Sequence, residues 1–169
     1  MLSLNKLWQN DVKFRNVLIV VALLVIFLAY MDISGLAMFN AINEGQGYTG
    51  ELYKKAEQGY MNLFWTFAYM IGFIAALVYY IIRKDVSESL AIFGAYFFLI
   101  WGGLEDLFYF VLQGLSVPAR LPWLDAHPFM GTVGIVIGEG VTNISLYISI
   151  IISLIIVYFL VKYLKRRGE

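Results

Sequence analysis

The 169-residue chain contains no cysteine and a single histidine, and both scarcities exclude classes of function. Without cysteine there is no disulfide framework, zinc ribbon, iron–sulfur cluster or cysteine nucleophile. One histidine excludes a bis-histidine haem and any metal site built from several histidines of one chain. Basic and acidic residues both total 12, so the net charge favours no nucleic acid and no acidic partner.

Charged residues are scarce as well, at 14% of the chain, whereas hydrophobic residues make up 61% and the mean hydropathy is +0.76. Soluble domains usually carry about 45–50% apolar and about 25% charged residues. The polar residues are too few to cover a water-soluble globule. The composition therefore excludes an ordinary cytosolic domain and indicates an integral membrane protein.

Four stretches are apolar for long enough to cross a bilayer, which takes about 20 residues of helix. They cover about 17–39, 62–82, 90–115 and 131–163, and the last is longer than a bilayer requires. Helices are favoured over a barrel because strand-like alternation is weak. The sequence predicts one all-α polytopic membrane domain, residues 1–169, whose first helix is retained and not cleaved as a signal peptide.

The distribution of lysine and arginine predicts the orientation of these helices. Nine of these residues lie in the two termini and in the loop between the second and third spans, whereas three lie in the other two loops. Basic residues accumulate on the cytoplasmic side of membrane proteins. We therefore expect both termini in the cytoplasm and the loops over 40–61 and 116–130 outside.

Ionisable residues within the spans are the main indication of function, because a charge at mid-membrane costs about 2.5–3.5 kcal/mol on insertion scales. Asp32 belongs to the first span, Glu105 and Asp106 to the third, and Glu139 to the fourth. In the expected orientation all four lie in the outer half of the membrane. The further candidate ligand-binding residues are Asn62, Thr66, Tyr69, Trp101, Tyr109, Asn143 and Tyr147. The sequence predicts a carboxylate-lined pocket that opens outward.

Glu105, Asp106 and Glu139 are the candidates for acid–base catalysis. Neighbouring carboxyl groups in a low-dielectric pocket favour sharing of a proton, which one group can donate and another accept. The alternative is that Glu105 and Asp106 lie near the interface, hydrated or paired with Arg120, and that Glu139 bonds another helix. A structural role explains Asp32 equally well.

The loop before the fourth span carries Arg120, Asp125 and His127, which we expect to cover the pocket. His127 is a candidate acid, base or ligand-binding residue, although a histidine before a proline is also typical of a helix start. With Asp125 and the three acid–base candidates, His127 forms a donor set suited to a divalent metal ion. No second histidine at zinc-binding spacing accompanies it, so the identity of any cofactor stays open.

Small residues recur along the fourth span at helical spacing, which is typical of close helix packing. They are Gly131, Gly134, Gly138, Thr142, Ser145, Ser149 and Ser153. The expected partners are membrane lipid, a lipid-like small molecule and, through these small residues, a second copy of the chain or another membrane subunit.

Two short motifs, Met31-Asp32 in the first helix and Leu104-Glu105-Asp106 in the third, are similar to those of the EXPERA family. This family of four-helix membrane proteins includes the sigma-2 receptor and the emopamil-binding sterol isomerases. The resemblance implies a pocket lined by Asp32, Glu105 and Asp106 that accepts sterol-like or amphiphilic molecules.

The leading hypothesis is a small membrane protein that binds or converts a lipid-like or amphiphilic molecule, with an isomerase or hydrolase as the enzymatic forms. No nucleophile elbow, phosphate-binding loop or zincin motif occurs in the sequence, so enzyme activity stays open. The alternatives are an accessory subunit of a larger membrane complex and a metal-ion or proton pathway with the carboxylates as relay sites.

Overall fold

The computed structural model describes residues 12–46, 50–138 and 140–168, and this part of the chain is helical and without β-strands. Its helices are α1 (Val12–Gln46), α2 (Gly50–Arg83), α3 (Val86–Trp101), α4 (Leu104–Leu112), α5 (Pro128–Ile137) and α6 (Asn143–Gly168), and a single 3-10 turn covers Pro122–Leu124. The predicted all-α class is confirmed for these residues.

Within the described residues, three helices are long and apolar enough to cross a membrane: the Arg15–Ile42 part of α1, the whole of α2, and the Asn143–Leu164 part of α6. Helices α3 and α4 make a fourth span if this bent pair is counted as one. Large apolar side chains such as Leu23, Phe73 and Ile151 are exposed on the outward faces. A surface of this kind is unfavourable in water and suits the lipid environment of an integral membrane protein.

The third predicted span, 90–115, is broken. Helix α3 ends at Trp101, the chain turns by 68°, and α4 begins at Leu104. The cause is the pair Gly102-Gly103, because Gly103 has a φ of 87°, a left-handed conformation that side chains disfavour. The Ser149 hydroxyl of α6 donates to the Gly102 carbonyl at 2.6 Å and so satisfies a backbone group that the break exposes.

The fourth predicted span, 131–163, is likewise not one helix. Helix α5 ends at Ile137 and is followed by Gly138, whose φ is 105°. Helix α6 begins at Asn143, after Gly140 with a φ of 73°. Gly134 lies directly against the Gly140 backbone, so α5 packs beside the start of α6. Ten residues of helix reach about 15 Å, too short to cross the bilayer alone.

Most small residues of the predicted fourth span pack within the chain, whereas Gly138 is exposed. Thr142 and Ser145 cap the start of α6 reciprocally, since each side-chain oxygen accepts the other residue's backbone N–H, at 3.2 and 2.6 Å. Ser145, Ser149 and Ser153 are buried, and Gly131 lies against the Asp125 carbonyl. The described fold thus already accounts for these residues through internal packing.

Helix α1 contributes the central stripe of the core. Val17, Val21, Val25 and Leu28 recur at three- or four-residue spacing and are buried in the cluster that holds Tyr96 of α3. Between membrane helices close packing, not water exclusion, stabilises such contacts.

The seam between α2 and α3 is formed by small residues. Ala68, Gly72 and Ala76 are the buried residues of α2, and the Tyr96 ring of α3 lies directly on Gly72. The Tyr96 hydroxyl donates to the Ala68 carbonyl at 2.9 Å. Because Gly72 has no side chain, the two helices approach closely enough for this buried hydrogen bond.

Helices α1 and α2 extend beyond their apolar parts. With 35 and 34 residues, each is about 50 Å long, against about 30 Å for a hydrocarbon core. The region 40–61, which we expected as a loop, is helical over 40–46 and 50–61. Tyr53 donates to Asn40 at 3.3 Å and joins the two ends.

Candidate functional site

Three carboxylates predicted to line a common pocket lie close together and are here called the carboxylate cluster. Asp32 comes from α1, and Glu105 and Asp106 come from α4, which packs on α1. Glu105 interacts electrostatically with both Asp106 and Asp32, and Asp106 interacts with Asp32. Two chain segments separated by about seventy positions thus contribute to one acidic site.

The helix break explains how two adjacent carboxylates are tolerated here. Gly103 precedes α4 and offers no capping side chain, so the first amides of α4 lack intrahelical partners. Glu105 and Asp106 occupy this first turn. Negative charge at a helix N-terminus is stabilising by about 0.3–1 kcal/mol per group, which offsets part of the cost of placing carboxylates in an apolar bundle.

Glu105 is the least exposed member of the cluster, with 4% of its surface accessible. Its Oε1 atom has no hydrogen-bond partner among the residues that the structure describes. The charges that act on it, those of Asp106 and Asp32, have the same sign as its own. A buried acceptor without a donor is costly, and such atoms concentrate where a ligand supplies the donor.

Asp32, in contrast, has a hydrogen-bond donor from the protein. The Tyr60 hydroxyl of α2 lies 3.1 Å from Asp32 Oδ1 and 3.2 Å from the Asp32 carbonyl oxygen. Asp106 lies near the Trp123 side chain. Tyr109, a predicted ligand-binding residue, lies near enough to Tyr60 for electrostatic interaction. Glu105 Oε1 is the fully buried acceptor of the cluster that has no donor among the described residues.

Tyr60 was absent from the predicted site. It precedes the expected start of the second span at residue 62 and fell within the expected outer loop. The 34-residue length of α2 brings it into register with Asp32. The aromatic residues at 60, 64 and 65 were a usable signal, because tyrosine is favoured where an apolar span meets water.

A second group, here called the aromatic cluster, consists of Trp65, Tyr69, Trp101 and His127. The His127 ring lies 6.2 Å from Trp65 and 5.9 Å from Trp101, and the Trp101 indole donates to the Tyr69 hydroxyl at 3.0 Å. Tyr69, Trp101 and His127 were all predicted ligand-binding residues, and they meet here.

His127 has a structural role within the aromatic cluster. Its Nδ1 accepts the Met130 backbone N–H at 3.4 Å and caps α5. Burial lowers the pKa of His127 below its ordinary value, so the neutral ring, which can accept this bond, is favoured.

Aromatic rings connect the two clusters. Tyr60 lies 6.3 Å from Phe64, Phe64 lies 5.7 Å from Trp65, and Trp65 is a member of the aromatic cluster. These side chains follow one side of α2. Such a row offers a flat apolar surface that begins beside the carboxylates.

Several predicted site residues lie elsewhere. Asn62 and Thr66 are exposed and bond within α2, where Gln58 donates to Asn62 and Thr66 donates to the Asn62 carbonyl. Tyr147 is 44% exposed. Asn143 begins α6, and Glu139 lies outside the described residues.

The loop before α5 is fastened to the turn between α5 and α6 by several hydrogen bonds. Arg120 pairs with Asp125 at 2.8 Å, and Asp125 also accepts the Val141 backbone N–H at 2.7 Å. Leu121 donates to the Val141 carbonyl at 2.9 Å. These bonds fasten the loop to the turn between α5 and α6.

The metal-binding candidates are not assembled into one site in the part of the chain that the structure covers. No group of three histidine, aspartate or glutamate side chains there is arranged to hold a metal ion. Asp125 is held by Arg120, and His127 lies in the aromatic cluster, so neither joins Glu105 and Asp106.

Comparison of the chain with known protein families, with curated proteins and with solved structures finds no match.

Proposed function

We propose that the chain is a four-span membrane protein with cytoplasmic termini that binds an amphiphilic molecule at the carboxylate cluster, in the outer half of the bilayer. The observation that carries this proposal is the buried Glu105 Oε1, which lacks a donor among the described residues. The ligand supplies that donor.

The chemistry of the cluster restricts the head group of the ligand. An anionic head group is repelled by three neighbouring carboxyl groups, whereas an amine or a hydroxyl donates to Glu105. The aromatic row from Tyr60 to Trp65 provides an apolar surface for the remainder of the molecule. The resemblance to the EXPERA family involves Asp32, Glu105 and Asp106 and favours the same ligand class.

Conversion of the bound molecule is a further part of the proposal. Glu105 and Asp106 are the groups suited to move a proton in an isomerisation or hydrolysis, because they are adjacent and share one acidic environment. Binding is the part that the unpartnered Glu105 oxygen supports directly.

The proton-pathway alternative has less support. A proton pathway needs polar groups on both sides of the carboxylate cluster. On α6 the row of serines at 145, 149 and 153 is followed on the same face by the buried apolar residues Val157 and Val161, so polar groups do not continue along this face. The accessory-subunit alternative drew on small residues, which are packed against the chain's own backbone at Gly131 and Gly134.

The proposal is tested with one twelve-carbon chain carrying three head groups: dodecylamine, dodecanol and dodecanoate. Binding to the purified protein in detergent is followed by tryptophan fluorescence, for which Trp123 beside Asp106 is a local reporter. We expect the amine and the alcohol to bind and dodecanoate to be excluded. Glu105→Gln should weaken amine binding at least about tenfold, because the amide oxygen accepts without the negative charge that strengthens the bond.

Glu57→Gln is the matched control, because Glu57 is an exposed glutamate of α2. It should bind dodecylamine as the wild type does. If Glu105→Gln binds the amine with wild-type affinity, or if dodecanoate binds as well as dodecylamine, the proposed function is wrong.

A further inference from the structure

We propose that Tyr60 is a positioning residue of this site, which holds the Asp32 carboxylate in place so that Glu105 alone receives the donor of the ligand. This inference rests on the proposed function and assigns different roles to the three carboxylates. It also identifies Gly35 of α1 as the residue that makes room for Tyr60.

The hydrogen bonds of Tyr60 provide the first argument. Its hydroxyl has one proton, and the two acceptors within reach, Oδ1 at 3.1 Å and the carbonyl oxygen at 3.2 Å, both belong to Asp32. A donor shared between a side chain and its own backbone restricts the side-chain torsions of that residue. The Asp32 carboxylate is thereby kept in one orientation.

The Tyr60 ring is itself confined, which is required of a positioning residue. A Cβ atom added at Gly35 would lie 2.6 Å from the Tyr60 hydroxyl oxygen, so the hydroxyl rests on the bare backbone of α1. Phe39 stacks on one part of the ring with centroids 5.5 Å apart, and Phe64 stacks at 6.3 Å. Contacts from both helices therefore hold the hydroxyl against Asp32.

The position of Tyr60 within the cluster provides the second argument. Tyr60 interacts electrostatically with Glu105 and Tyr109 as well as with Asp32, so it stands at the junction of α1, α2 and α4. Asp32 Oδ1 accepts from Tyr60, whereas the buried Glu105 Oε1 has no donor among the described residues. A head group that donates to Glu105 therefore supplies the partner that this buried oxygen lacks.

The test is a double-mutant cycle on dodecylamine affinity with Tyr60→Phe, Asp32→Asn and the double variant. Tyr60→Phe keeps the stacked ring and removes only the hydroxyl. We expect it to weaken binding about three- to tenfold, and we expect this effect to vanish in the Asp32→Asn background, since Tyr60 acts through Asp32. Gly35→Ala should weaken dodecylamine binding to the same extent as Tyr60→Phe, because the added methyl group displaces the Tyr60 hydroxyl from Asp32.

Tyr53→Phe is the matched control, because Tyr53 also bonds from α2 to α1, at Asn40, two turns away from Tyr60. It should leave the affinity unchanged, and thermal unfolding of each variant separates loss of binding from loss of fold. The inference is overturned if Tyr60→Phe binds dodecylamine like the wild type, or if its loss of affinity is equal in both backgrounds. It is also overturned if Asp32→Asn weakens binding as much as Glu105→Gln does. If Glu105→Gln still binds dodecylamine more weakly than the wild type, any of these results leaves the proposed function supported.

Discussion

At Gly72, a single added methyl group should show how much close packing between helices contributes to the free energy of unfolding, apart from helix propensity. Its α-carbon lies under the Tyr96 ring, which is 1% exposed, and an added Cβ atom would overlap two atoms of that ring. Tyr96 cannot rotate away freely, because its hydroxyl is bonded to the Ala68 carbonyl at 2.9 Å. The change Gly72→Ala therefore forces α2 and α3 apart.

The expected magnitude follows from two opposing terms. Replacing glycine by alanine within a helix is stabilising by about 0.5–1 kcal/mol, whereas overpacking a fixed core contact costs about 1–3 kcal/mol. Gly72→Ala should therefore lower the free energy of unfolding, by up to about 2.5 kcal/mol. Reversible unfolding in mixed detergent micelles, followed by circular dichroism, measures this change.

Gly59 provides the matched control on the same helix. A Cβ atom added there meets no atom of the described chain within 4 Å, so Gly59→Ala retains only the favourable propensity term. The two variants should differ by about 1–3 kcal/mol, which is the steric term alone. Equal stability of the two variants would refute the close packing of α2 on α3.

Two further predictions concern the helix ends. The folded pKa of His127 lies below its unfolded value, so its contribution to stability is complete above about pH 6.5 and declines as the pH falls below that value. His127→Asn keeps a capping oxygen but does not titrate in this pH range. Its thermal midpoint should therefore fall less between pH 7.5 and pH 5 than that of the wild type. An equal fall in both proteins contradicts the role of His127. Ser149→Ala should destabilise by about 1 kcal/mol by removing the donor to Gly102. Ser153→Ala, whose hydroxyl has no partner in the described chain, should be near neutral, and equal effects of both variants would contradict this account.

The long helices were predictable because hydropathy averages over many residues and tolerates local errors. The expected spans 17–39 and 62–82 fall inside α1 and α2. The nearness of Asp32 to Glu105 and Asp106 also followed from the sequence, since the cost of burying a charge drives such residues to a shared environment. What these residues do is a proposal that the binding experiments test.

The helix breaks were not predicted, because the averaging of hydropathy that reveals long spans also conceals short interruptions within them. Averaged hydropathy hides a local change of backbone conformation, and glycine counts as apolar in it. Gly102-Gly103 and the glycines at 138 and 140 were visible signals, and three of these four have positive φ. Tyr60 was missed because its role depends on the length of α2 and on the bare surface of Gly35, which only the packed helices reveal.

The joined ends of α1 and α2 have a practical consequence for structure determination. A 19.3 kDa membrane protein is small for single-particle electron microscopy, because a detergent belt obscures most of such a particle. A pair of continuous helices that rises past the belt offers a rigid place to graft an epitope or fuse a larger marker. Since the Tyr53–Asn40 bond ties the two helices near the tip, such a marker would report the orientation of the whole bundle.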